Sequence, residues 1–220
     1  MNLWEELQAF LLRNGASVAG CGSLLRVPGA KRDGYPTGIS ICVALDPFLI
    51  EGLLDGPSQA FRENTKSVRA SLVRLRHACV EFLIEREYRA CFSRSGITDE
   101  ANFMSGLPHK TVATRAGLGW IGKSAMLISE SFGGALRLTS VLTDAPLPTA
   151  QPCDVSRCGS CEACVVCCPA KAIIGTEWQV RLERDNMLKP EACDKLRMER
   201  SNAAGVSDAR LCDVCIAVCP

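Results

Sequence analysis

An α/β domain over residues 1–150, followed by a small, mainly helical, cysteine-rich domain over 151–220, is the architecture the sequence predicts. Three observations lead there. Helix-like and strand-like patterns alternate through the first two thirds of the chain. Ten of the 14 cysteines crowd into the last 68 of 220 residues, at positions 153, 158, 161, 164, 167, 168, 193, 212, 215 and 219. Between the two regions, Thr143-Asp144-Ala145-Pro146-Leu147-Pro148 reads as an exit loop.

The elements follow in order. Leu3, Leu7, Phe10 and Leu11 form one apolar stripe, and Gly15 follows as a C-cap, so residues 2–13 predict an amphipathic helix. Ile39 to Leu45 is short, β-branched and bounded by Gly38 and Asp46-Pro47, which fits a buried strand. From 58 to 86, Val68, Leu72, Leu75, Cys79 and Phe82 step by four and three along one helical face. Cys79 therefore reads as a packed core thiol. Tyr88–Ser93 predicts a second strand, and Pro108 opens a short helix that ends at Gly117. Leu127-Ile128 and Leu136–Leu142 are expected to pair around Gly133-Gly134.

Composition narrows the function classes. Lys plus Arg is 25 against 24 for Asp plus Glu, a net charge of +1, and the two regions carry about +2 and −1. Without a basic surplus to neutralise phosphates, nucleic acid is an unlikely partner on this reading. No apolar run approaches the roughly 20 residues of a membrane span. Met1-Asn2-Leu3-Trp4-Glu5-Glu6 is acidic and amphipathic, unlike a signal peptide, so a cytoplasmic protein is expected. In that compartment clustered cysteines bind metal or do redox chemistry rather than form disulfides. The last 68 residues hold only 17 Ile, Leu, Val, Met, Phe and Trp. So small a core needs a staple, and metal is the better choice.

Cys158-x2-Cys161-x2-Cys164-x3-Cys168-Pro169 reproduces the bacterial ferredoxin run. Three thiolates two residues apart can wrap three corners of one Fe4S4 cube, and the fourth points to another cluster. Gly159, Ser160 and Ala163 leave backbone amides free to reach cluster sulfurs. A zinc site pairs two hairpins and closes with four ligands, a template that three evenly spaced cysteines plus Cys-Pro do not fit. Cys212-x2-Cys215-x3-Cys219-Pro220 and Cys193 complete eight ligands. The expected sets are Cys158, Cys161, Cys164 and Cys219 for one [4Fe-4S] cluster, and Cys168, Cys193, Cys212 and Cys215 for the other. Cys153 and Cys167 read as bystander thiols.

Gly117-Leu118-Gly119-Trp120-Ile121-Gly122 matches G-x-G-x-x-G, yet a dinucleotide site needs a strand before and a helix after it. Here a helix precedes and a strand follows. With its neighbours the stretch says more. Arg115-Ala116-Gly117-Leu118-Gly119-Trp120-Ile121-Gly122-Lys123, then Val141–Pro148, then Cys158–Cys164, strongly resembles epoxyqueuosine reductase and its short relatives, over about residues 105–220.

That resemblance implies a double [4Fe-4S] ferredoxin-type domain joined to an α/β cobalamin-binding domain, as also in reductive dehalogenases. It implies clusters that pass single electrons to a corrinoid or substrate in the α/β domain. Gly119, Trp120 and Lys123 become expected corrinoid-pocket residues, facing the Cys168/Cys193/Cys212/Cys215 cluster. Two departures stand out. The family's proton-donating aspartate falls, without gaps, on Phe103, with Asp99 and Glu100 nearby. The helical-repeat extension that serves tRNA in many members is not in the sequence. The alternative expectation is a non-catalytic ferredoxin-type electron carrier or partner subunit. Expected partners are an electron-donor protein and, for an enzyme, a small-molecule substrate. Of the two histidines, His77 is expected in solvent and His109 at a helix start.

Overall fold

The computed structural model describes residues 2–93, 97–99 and 104–220. In chain order they form α1 (Leu3–Arg13), β1 (Val18–Ser23), β2 (Thr37–Ala44), α2 (Pro47–Glu51), α3 (Gln59–Ile84), β3 (Ala90–Phe92), β4 (Ile97–Asp99) and β5 (Met104–Ser105). There follow α4 (His109–Arg115), β6 (Trp120–Ile121), β7 (Leu127–Ile128), β8 (Leu136–Thr143), α5 (Ala163–Cys167), α6 (Pro190–Ala203) and α7 (Val214–Ala217). Mixed α and β structure is present, as expected. Among the described residues no helix is long and apolar enough to cross a membrane.

The chain divides into two compact units that interleave along the sequence. The first comprises the residues up to Val43, Arg69–Gly119 and Arg137–Cys153; the second comprises Ala44–Val68, Trp120–Leu136 and Asp154–Pro220. The boundary drawn near residue 150 therefore marks only the last of several crossings. The physical reason is the thin apolar content of the cysteine-rich segment. Ile50, Leu53, Phe61, Leu127 and Ile128 are all buried and belong to the same unit as Ile173, Met187, Leu211 and Ile216, completing its core.

The first unit is built on a four-stranded sheet of order β1-β2-β8-β3. Both outer pairs are antiparallel, with Val18 opposite Cys42 and Ala90 opposite Thr143. α1 is started by a capping box, in which Asn2 accepts from the Glu5 amide and Glu5 accepts from the Asn2 amide, each at 2.9 Å. Its Leu7 and Leu11 join Ile39 and Ile41 of β2, Val141 of β8, and Leu75, Cys79 and Leu83 of α3 in one core. Cys79 is fully buried there, and burial pushes its thiol up to about 12, as a core thiol should behave.

Two expectations are corrected. Residues 18–23, unassigned from sequence, form β1, because Gly20 and Gly22 hide the apolar alternation while permitting close approach of α4 and its following turn. Leu127-Ile128 pairs with Trp120-Ile121 rather than with β8. The turn between them is tight: the Gly122 amide donates to Met126 O at 2.9 Å and the Ala125 amide to Gly122 O at 2.8 Å. β8, eight residues long and largely buried, goes to the four-stranded sheet instead.

Candidate iron–sulfur centre

The cysteines of the second unit sit on short elements whose turns are dictated locally. The Cys158 amide donates to Ser156 Oγ at 3.2 Å and the Cys161 amide to Cys158 O at 3.0 Å, so 156–161 curls on itself around Gly159, at φ 52°. α5 then carries Cys164 and ends at Cys168, whose extended backbone (φ −64°, ψ 111°) precedes Pro169. α6 carries Cys193 in its first turn, behind Pro190. Asp213, in the left-handed conformation at φ 51°, reverses the chain into α7, which bears Cys215. Cys212 and Cys219 flank that helix.

Electrostatics show which thiols are neighbours. Burial first, then Cys158, Cys219 and Cys161, push the Cys164 thiol up to about 11. Cys219 is raised by burial and then by Cys158, against a hydrogen bond from the Gly134 amide. Cys193 is raised by burial, lowered by the Arg197 guanidinium, and raised again by Cys168 and Cys212. Cys215 is raised by burial, then by Asp213, Cys193, Cys212 and Cys164. The thiols that influence one another thus fall into 158/161/164/219 and 168/193/212/215, with Cys164 also acting on Cys215. Cys164, Cys168, Cys193 and Cys215 also share one apolar cluster with Ala172 and Ile173.

Among the described residues no three His, Cys, Asp or Glu side chains are placed to hold one metal ion. Backbone donors already aim at the sulfurs: the Ala172 amide reaches Cys168 Sγ at 3.4 Å, and the Val214 amide serves Cys212. Cys161 and Cys167 are exposed, whereas Cys168 and Cys212 are buried. Sequence reading missed the amides of Gly134 and Ala172, whose only signal is a small residue near a cysteine.

The glycine block lies against this centre through its second half. A Cβ on Gly122 would stand 2.6 Å from Ile128 Cγ1 and 3.5 Å from Cys158 Sγ. Lys123, only 5% exposed, donates from Nζ to Gly159 O at 2.9 Å. Gly133 approaches the Cys219 and Pro220 carbonyls. These contacts of Gly122 and Lys123 are with the 156–161 loop that carries Cys158 and Cys161, onto which the β6–β7 turn brings them. Trp120 is half-buried, with the Arg157 guanidinium 5.5 Å from its ring centre. Its indole N–H is buried without a partner among the described residues. Gly119 is buried at the edge of the first unit, at φ 155°. No dinucleotide-type strand–turn–helix is formed, since α4 precedes the block and a hairpin follows.

Elsewhere, Phe103 and Glu100 lie outside the described residues, and Asp99 stands at the end of β4. His77 is exposed, its ring edge-on to Phe92 at 4.5 Å. His109 begins α4 but is more enclosed than a surface cap, with Nδ1 3.0 Å from Ser140 Oγ. Burial, then the Arg76 guanidinium, hold its pKa down to about 4.

Comparison with known proteins agrees with this geometry. The 4Fe-4S double cluster binding domain matches residues 157–220. The epoxyqueuosine reductase of Vibrio cholerae is 30% identical over 175 residues, covering 76% of this chain and 44% of that protein. That of Lactococcus garvieae is 34% identical over 110 residues, covering 50% and 30%. The matched stretches thus span less than half of the relatives' own length. Among solved structures, a reductive dehalogenase described for B12-dependent dehalogenation superposes with a TM-score of 0.72 at 18% identity, over 98% of this chain and 31% of that one. An epoxyqueuosine reductase bound to a tRNA stem loop superposes with a TM-score of 0.58 at 18% identity, over 99% and 64%. These likenesses show the fold. The chain thus carries a match to the double [4Fe-4S] cluster domain and is similar in sequence and fold to epoxyqueuosine reductases.

Proposed function

We propose that this chain is an iron–sulfur oxidoreductase in which Cys158, Cys161, Cys164 and Cys219 hold one [4Fe-4S] cluster and Cys168, Cys193, Cys212 and Cys215 the other, with cobalamin or a substrate in the α/β unit as electron acceptor. When bound, the clusters supply one-electron storage and transfer, and cobalamin a reducible cobalt. The protein's part is to hold the thiolates and settle their charge. The amides of Ala172, Gly134 and Val214 donate to sulfur and so favour the charged ligands. The observation that carries the reading is the match of residues 157–220 to a 4Fe-4S double cluster binding domain, with Cys164, Cys168, Cys193 and Cys215 packed in one cluster. For the corrinoid, the support is the B12-dependent structural neighbour and the unpartnered indole N–H of Trp120. Lys123, the third expected pocket residue, donates from Nζ to Gly159 O.

The deciding experiment is anaerobic titration of cluster-loaded protein with cobalamin, followed by absorbance. A shift to the base-off spectrum, weakened in Gly119→Leu and Trp120→Ala, is expected. An unchanged spectrum would leave a ferredoxin-type carrier, fed by an electron-donor protein, as the function. The tRNA-bound neighbour makes an RNA stem loop the substrate to try. Binding that falls steeply with added salt would place Lys and Arg on its phosphates.

A further inference from the structure

Lys123 is only 5% exposed, donates from Nζ to the neutral carbonyl of Gly159, and among the described residues no carboxylate pairs with it. A buried ammonium in that state is costly unless an anion stands close by. The carbonyl it holds belongs to Gly159, one residue beyond Cys158, and a Cβ built on Gly122, next to Lys123 in the chain, would lie 3.5 Å from Cys158 Sγ. Four thiolates around a cubane make an anion, and the cluster gains one more negative charge when reduced.

We infer that Lys123 is the positioning and charge-balancing residue of the Cys158/Cys161/Cys164/Cys219 cluster, fixing the 156–161 loop and raising that cluster's reduction potential. The inference rests on the cluster reading proposed above. Its physical basis is simple. A fixed positive charge stabilises the reduced, more negative state over the oxidised one, and a buried site screens the effect little. No bond or proton changes hands; one electron enters the cluster from a reductant such as dithionite. Lysine at this position thereby acts on the reaction through the cluster, without touching substrate.

The test is redox-poised electron paramagnetic resonance of anaerobically purified protein, comparing wild type with Lys123→Met, Lys123→Gln and Lys123→Arg. Two reducible cluster signals are expected in the wild type. In the Met and Gln variants one midpoint should move to lower potential while the other stays, and Arg should keep the wild-type value. If Met and Gln instead lose the iron of one cluster while Arg retains it, the charge-balancing role stands on content rather than potential. Unchanged midpoints in fully loaded Met and Gln variants, equal shifts of both clusters, or equal iron loss in Arg and Met would each overturn the inference. Wild-type protein showing no [4Fe-4S] signal would remove the cluster reading itself, which is a separable failure.

Discussion

Gly22 of β1 lies so close to the backbone of Arg115 that a Cβ on it would stand 2.1 Å from the Arg115 carbonyl oxygen. Gly20, two residues earlier on the same face, would meet Leu118 Cδ2 at 2.8 Å and Ala116 O at 3.0 Å. The end of α4 and the start of the glycine block are thus seated on the first strand by the absence of side chains. Arg115 itself is buried and donates to Cys153 O at 3.1 Å, so the same contact holds the exit of the first unit.

Gly22→Ala should therefore lower stability by about 1–3 kcal/mol or more, because backbone has to move to admit one methyl group. Gly29→Ala, where nothing lies within 4 Å, should stay within about 0.5 kcal/mol of wild type. Thermal melts of the two variants side by side decide it; equal melting temperatures would show that β1 and α4 are not packed this way.

Cluster content separates ligands from bystanders. Anaerobic wild-type protein should carry about eight irons and eight sulfides. Cys161→Ser and Cys193→Ser should each lose about half of the iron, whereas Cys167→Ser, whose thiol is exposed beside the centre, should lose none. Iron and sulfide assays read the result directly. Full loading in Cys193→Ser would break the second ligand set.

His109 gives the fold a pH dependence. Its pKa is held down to about 4 in the folded chain, against 6.5 for the free side chain. Between those values the unfolded chain binds the proton and the folded one does not, so stability falls as pH drops through that window and levels off below it. The full loss amounts to about 3 kcal/mol. His109→Gln should flatten the melting temperature between pH 6.5 and 4 relative to wild type, a difference that other acid-titrating groups share and so cancel. Parallel curves would show that His109 accepts its proton in the fold.

What could be read from sequence divides along physical lines. α1, β2 and α3 were legible because their apolar residues repeat at helical or strand spacing, and the burial of Leu7, Ile41, Leu75 and Cys79 follows that spacing. The thiol groups were legible from ligand spacing, which a cluster imposes on local chain. β1 was not, since glycines carry no hydropathy signal and their reason lies in Arg115, far along the chain. The hydrogen bond of Lys123 was hidden for a related reason: its partner on Gly159 is a backbone carbonyl, which has no signature in sequence. The interleaving of the units was hidden too, because nothing local in Ile50, Leu53 or Phe61 says which core they complete.

That interleaving makes a prediction about metal retention. Phe61 is fully buried and belongs to the cysteine-bearing unit, although it precedes every cluster cysteine in the chain. Ties within that unit run the same way: Arg200 donates to Leu53 O at 2.8 Å, and Arg62 donates from Nε to Asp208 at 2.6 Å. Phe61→Ala should cost about 3–5 kcal/mol of packing in the second unit. Because ligation and folding of such a domain share one free energy, weaker packing should speed the release of iron to a chelator. Leu83→Ala, equally buried but in the core of the first unit, should destabilise that unit and leave the rate of iron release near wild type. Hydrogen exchange should show the same division, with α6 and α7 opening in the Phe61 variant and α1 and β2 opening in the Leu83 variant. Equal iron-release rates in the two variants would mean that residues 44–68 do not support the cluster unit.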